Sequence, residues 1–110
     1  MTTFLPATLA LALCASMNLA QASTDLGKAT ELAKGSGCYS CHANDEKVVG
    51  PSFKSIANKY ASESDAAASL AQSIQNGSRG KWGRVPMPPH ASLGGDELRT
   101  LSRWVLTFKD

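Results

Sequence analysis

Apolar side chains recur at helical spacing in four stretches of the chain, and no stretch shows the strict alternation of a strand. The first runs from Asp25 to Gly35. Leu26, Ala29, Leu32 and Ala33 form its apolar side, Thr24 or Asp25 is the N-cap, and Gly35 and Gly37 end it. The second opens at Pro51, a residue suited to a first helical turn, and sets Phe53, Ile56, Ala57 and Tyr60 at the i, i+3, i+4, i+7 positions of one face. A third helix is predicted from about Ser64 to Gln75, with Ala67, Leu70, Ala71 and Ile74 inward, Ser69, Gln72 and Ser73 toward solvent, and Asn76-Gly77 as the stop. The fourth begins near Gly95-Asp96 and carries Leu98, Leu101, Val105 and Phe108 on one side, with Trp104 beside them. Between the last two, Pro86, Pro88, Pro89 and the glycines from Gly77 to Gly95 mark a loop without regular structure, and a loop this long in a small domain is usually functional. The pattern predicts an all-α fold.

The amino-terminal segment follows a different rule. Met1 to Ala22 carry no charged side chain, hold an apolar run at Leu9–Leu13 and end on the small-x-small sequence Ala20-Gln21-Ala22. These are features of a secretory signal cut after about Ala22. Pro6 and Asn18 leave too short an apolar span for a membrane anchor, so export without membrane insertion is expected, and Cys14 leaves with the signal. Residues 23–110 then form one domain; 110 − 22 leaves 88 residues, a length only marginally able to bury a stabilising core from side chains alone. All 11 Lys and Arg and all 9 Asp and Glu lie in this domain. The formal charge of +2 argues against nucleic-acid binding and leaves any electrostatic steering to local clusters.

The most specific chemistry lies in Cys38-Tyr39-Ser40-Cys41-His42. Two thiols separated by two residues and followed at once by an imidazole form the attachment pattern of a c-type haem. Cys38 and Cys41 would take thioether bonds to the vinyl groups, and His42 would stand where its imidazole can ligate the iron. A zinc site would want a second Cys or His pair, whereas His90 is the only other histidine. A thioredoxin-like redox pair would want strands around it. With both cysteines used in thioethers, no disulfide is available to the exported domain.

An iron held by His42 needs a second axial partner, and Met87 and His90 are the candidates on the far side of the chain. Met87 sits in Val85-Pro86-Met87-Pro88-Pro89, where proline φ angles stiffen the backbone around one thioether. A weak sulfur ligand stays bound if its loop cannot swing away, and His/Met ligation is a pattern of electron-transfer haem proteins. His90 is expected to be a residue near the site or at the surface, held away by Pro88 and Pro89.

The chain resembles the small bacterial class I cytochromes c, and within them the cytochrome c-551 (cytochrome c8) family. The resemblance rests on Cys38, Cys41 and His42, on Val49-Gly50-Pro51, Asn76-Gly77-Ser78, Trp82-Gly83, Val85-Pro86-Met87-Pro88-Pro89 and Trp104-Val105-Leu106. It covers essentially the whole of residues 23–110. It implies four helices wrapped around one covalently attached haem c, ligated by His42 and Met87. It further implies that the Pro51 carbonyl receives the Nδ1 proton of His42, and that the Trp82 indole points at a haem propionate. Three positions depart from the family pattern: Arg84 replaces a common proline, His90 an amide side chain, and Ala33 a bulky aromatic whose volume Tyr39 or Tyr60 is expected to fill.

The function implied is that of a monomeric, soluble periplasmic one-electron carrier and not an enzyme. Its redox partners would be of the kind represented by a cytochrome bc1-type donor and a terminal oxidase or nitrite reductase acceptor. Two other readings are a haem enzyme or gas sensor with a displaceable Met87, and a haem subunit of a larger oxidoreductase. Arg79, Lys81 and Arg84, just before Met87, are expected to rim the haem edge and steer an acidic partner.

Overall fold

The computed structural model describes residues 25–110, so the expected signal segment, residues 1–22, lies outside the described residues. Helix α1 covers residues 25–35. After a 3-10 turn at Cys38–Ser40 come α2 (Phe53–Tyr60), α3 (Ala66–Asn76) and α4 (Gly95–Leu106). Among the described residues, extended pairing is confined to two isolated antiparallel bridges, His42 with Lys47 and Ser78 with Met87.

Each helix has a local cause and a local limit. In α1, Ala29 and Ala33 are buried, whereas Leu26 is exposed rather than inward. Gly37 stops the chain at φ 79°, a left-handed conformation that glycine adopts without steric cost. In α2, Pro51 lies outside the helix and not in its first turn. The reason is Ser52, whose Oγ accepts from the Ser55 N–H at 3.0 Å and so serves as the N-cap, leaving the Pro51 carbonyl free for another partner. The buried face of α2 is the predicted one: Phe53, Ile56, Ala57 and Tyr60. In α3 the buried stripe is Ala66 and Leu70, with Ile74 packed beside it, one register step from the expected Ala67 and Ala71. At the start of α4, Glu97 Oε1 accepts from the Gly94 N–H at 3.2 Å, and Asp96 and Glu97 sit in the first turn where the helix dipole favours negative charge.

Helix α4 is the central element, packed on both α2 and α3. It buries Leu98, Leu101, Ser102, Trp104 and Val105, and the Ser102 hydroxyl satisfies itself on the Leu98 carbonyl at 2.7 Å. Helix α1 joins it through the Trp104 indole, whose Nε1 donates to Thr30 Oγ1 at 3.2 Å. Phe53, Trp104 and Phe108 pack ring against ring, with centroids 4.9 Å apart for the first pair and 5.0 Å for the second.

Of the two tyrosines expected near the small Ala33, Tyr39 packs against the core cluster that contains it. Its ring meets Phe53 at 5.4 Å and Trp104 at 6.1 Å, while Tyr60 lines the central cavity instead. Ala33 itself has no exposed surface. Ala33→Phe should therefore overpack this contact and cost about 1–3 kcal/mol, read as a lower midpoint in chemical denaturation. A higher midpoint would show that a void had been filled.

Candidate functional site

A partly open apolar cavity of about 110 Å³ lies between α2, α3, α4 and the two long connections. Cys38, Cys41, His42, Pro51, Trp82 and Met87, the residues predicted from sequence, all line it. They arrive from segments far apart in the chain, since 87 − 42 sets His42 and Met87 45 positions apart.

The 3-10 turn is what brings both thiols to one wall. It closes through the Cys41 N–H on the Cys38 carbonyl at 3.2 Å and the His42 N–H on the same oxygen at 3.0 Å. Both cysteines are free and half-buried. Burial pushes the Cys38 thiol above its ordinary pKa, the opposite of what a nucleophilic redox cysteine needs. Among the described residues, no three His, Cys, Asp or Glu side chains converge as a bare metal ion would require.

His42 is held in one tautomer. Its Nδ1 lies 2.6 Å from the Pro51 carbonyl oxygen, which can only accept, so Nδ1 carries a proton and Nε2 is the nitrogen left for a ligand bond. The ring is stacked on Phe53, with centroids 5.2 Å apart, and pressed against Gly50. A Cβ at position 50 would stand 2.7 Å from His42 Cε1, so any larger residue would displace the ring.

The loop before α4 is more ordered than its composition suggests. Ser78 and Met87 exchange both backbone hydrogen bonds, at 3.1 and 2.9 Å, and the His90 N–H donates to the Ile74 carbonyl at 2.8 Å. Met87 is thus pinned from both sides by backbone pairing in addition to its flanking prolines. Gly77 permits this with φ 75° and ψ 177°; a Cβ there would stand 2.4 Å from the Met87 carbonyl oxygen. His90 is partly buried and does not line the cavity, and its Nδ1 is buried without a hydrogen-bond partner.

The basic cluster divides. Lys81 lines the cavity; Arg79 lies on the neighbouring groove with Pro86 to Pro89, and Arg84 is exposed away from both. Ser73, expected to face solvent, also lines the cavity. Sequence reasoning missed Ser73 and the close approaches at Gly50 and Gly77; the glycines beside Pro51 and Ser78 were the available signal.

The family model for cytochrome c matches residues 26–109. The chain belongs to the cytochrome c family. It is 53% identical over 78 residues to cytochrome c-551 of Pseudomonas aeruginosa, covering 71% of this chain and 74% of that protein. To cytochrome c-552 of Nitrosomonas europaea it is 47% identical over 79 residues, covering 72% of this chain and 77% of that one. The crystal structure of wild-type Nitrosomonas europaea cytochrome c552 superposes with a TM-score of 0.71 at 46% identity, covering 73% of this chain and 99% of that chain. The protein is a cytochrome of the c-551/c-552 group with the class I fold and one covalently attached haem c. It is a one-electron carrier rather than an enzyme, and it exchanges electrons with redox partners.

Proposed function

We propose that Cys38 and Cys41 carry the haem c through thioether bonds and that His42 Nε2 and Met87 Sδ hold its iron. One observation carries this reading: a single apolar cavity is lined by two free thiols, by an imidazole with only Nε2 available, and by a thioether on a bridge-pinned loop. That donor set suits a low-spin haem iron. When bound, the haem supplies the Fe(II)/Fe(III) couple that takes up and releases one electron.

The chain's own residues keep that exchange fast. The Pro51 carbonyl fixes the His42 ring and raises its basicity. The Ser78–Met87 bridge keeps the thioether in place whichever charge the iron carries, so little reorganisation accompanies the electron. Phe53, Ile56, Leu70, Leu101 and Val105 exclude water from the cavity wall. Trp82, half-buried at the cavity edge, would offer its indole N–H to a propionate.

Residues 1–22 serve as the export signal, and residues 23–110 work in the periplasm as a monomer. No helix among the described residues is long and apolar enough to cross a membrane. A cytochrome bc1-type donor and a terminal oxidase or nitrite reductase acceptor are the partners of this reading. The test is spectroscopy of the protein purified from the periplasm. A low-spin spectrum with a sulfur-to-iron charge-transfer band, and haem that resists acidic solvent extraction, are expected. High-spin iron, or extractable haem, would overturn the assignment.

A further inference from the structure

Lys81 is the one Lys, Arg, Asp or Glu in the described cavity lining. Its Nζ donates to Ser73 Oγ at 3.2 Å, so the ammonium is held at the α3 edge of the cavity by a neutral hydroxyl. An ammonium has three donors, and this arrangement leaves two for an anion. The position is braced from α2, where Lys59 Nζ donates to the Lys81 carbonyl at 3.2 Å and stands 4.4 Å above the centre of the Trp82 ring. Three elements therefore converge on one cationic corner of an otherwise apolar site. Lys81 itself is exposed, so this corner is the solvent-facing rim of the site, where an ion pair is screened but still ordered by the Ser73 and Lys59 contacts.

We propose that Lys81, oriented by Ser73, pairs with a haem propionate and thereby keeps that carboxylate ionised in both oxidation states. The inference rests on the haem reading above. It takes Lys81 out of the partner-steering cluster and makes it a positioning residue for the cofactor's charge. Two consequences follow from the sign of the charge. A cation beside the iron favours the reduced state, so Lys81 raises the reduction potential. It also lowers the propionate pKa, by a screened amount because Lys81 is exposed, which moves the pH-dependent part of the potential toward acid. The other groups facing this corner are Lys59 and the Tyr60 phenol of α2, whereas α4 contributes only Leu101, Trp104 and Val105.

The experiment is a potentiometric titration of the holoprotein from acid to neutral pH, in wild type, Lys81→Gln, Lys81→Arg, Ser73→Ala and Arg84→Gln. Lys81→Gln should lower the potential on the alkaline plateau and shift the pH-dependent window upward by about half a unit. Lys81→Arg should restore the window and Ser73→Ala should move it part of the way. Arg84→Gln, a charge change in the same loop but off the cavity, should leave the window in place. An unmoved window in Lys81→Gln, or the same displacement in Arg84→Gln, overturns the pairing. The absorption spectra of the same samples separate the two readings: a missing haem c spectrum in wild type sinks both, and an intact one with an unmoved window sinks only this one.

Discussion

Met87→Ala should lose the sulfur-to-iron charge-transfer band completely, bind added carbon monoxide or cyanide rapidly, and fall in reduction potential. The fall should be on the order of a hundred millivolts or more, a fraction of the ~0.8 V range over which axial ligands set haem potentials. Thioether ligation favours the reduced iron, so its removal costs the ferrous state more than the ferric. The bound loop makes the effect local: the Ser78–Met87 bridge uses backbone atoms only and survives the substitution. His90 is three positions along the same pinned loop and does not line the cavity, so it is not placed to substitute. The matching control is His90→Ala, which should keep the band. A retained band in Met87→Ala, or its loss in His90→Ala, would reverse the ligand assignment.

Gly77→Ala should have the larger effect on stability. The residue occupies φ 75°, ψ 177°, a region essentially closed to residues with a Cβ, and holding alanine there costs about 1–3 kcal/mol. The steric problem adds to this, because the new methyl would stand 2.4 Å from the Met87 carbonyl oxygen and 3.1 Å from the Pro89 nitrogen. Neither neighbour is a flexible side-chain end, so relief must come from the backbone that carries Met87. A lower denaturation midpoint is expected together with a partial loss of the sulfur band at neutral pH, before global unfolding. Wild-type values for both would mean that the loop has room that this geometry does not provide. Gly50→Ala offers the parallel case on the His42 side, where the obstacle is the imidazole ring itself.

Several parts of this molecule were determined by short-range pattern and were legible from the chain alone. The Cys38–His42 pentapeptide carries its chemistry in its own spacing, and the buried faces of α2 and α4 follow from apolar residues at helical period. Met87 stood out because proline rigidity is encoded locally. What the sequence left open depends on where distant segments meet. Ser73 reads as a solvent residue by helical phase, yet the loop carrying Lys81 folds over it and turns that face of α3 into cavity wall. Pro51 reads as a first-turn proline, but the capping hydroxyl of Ser52 places it one step outside, where its carbonyl reaches the His42 ring nine positions earlier. Gly50 and Gly77 look like ordinary turn glycines, and the approach of an imidazole and of the Met87 backbone is what makes an added Cβ displace its neighbours there. Helical period and local motif are properties of neighbouring residues, whereas a close approach between segments is a property of the closed fold, and packing at native density decides it.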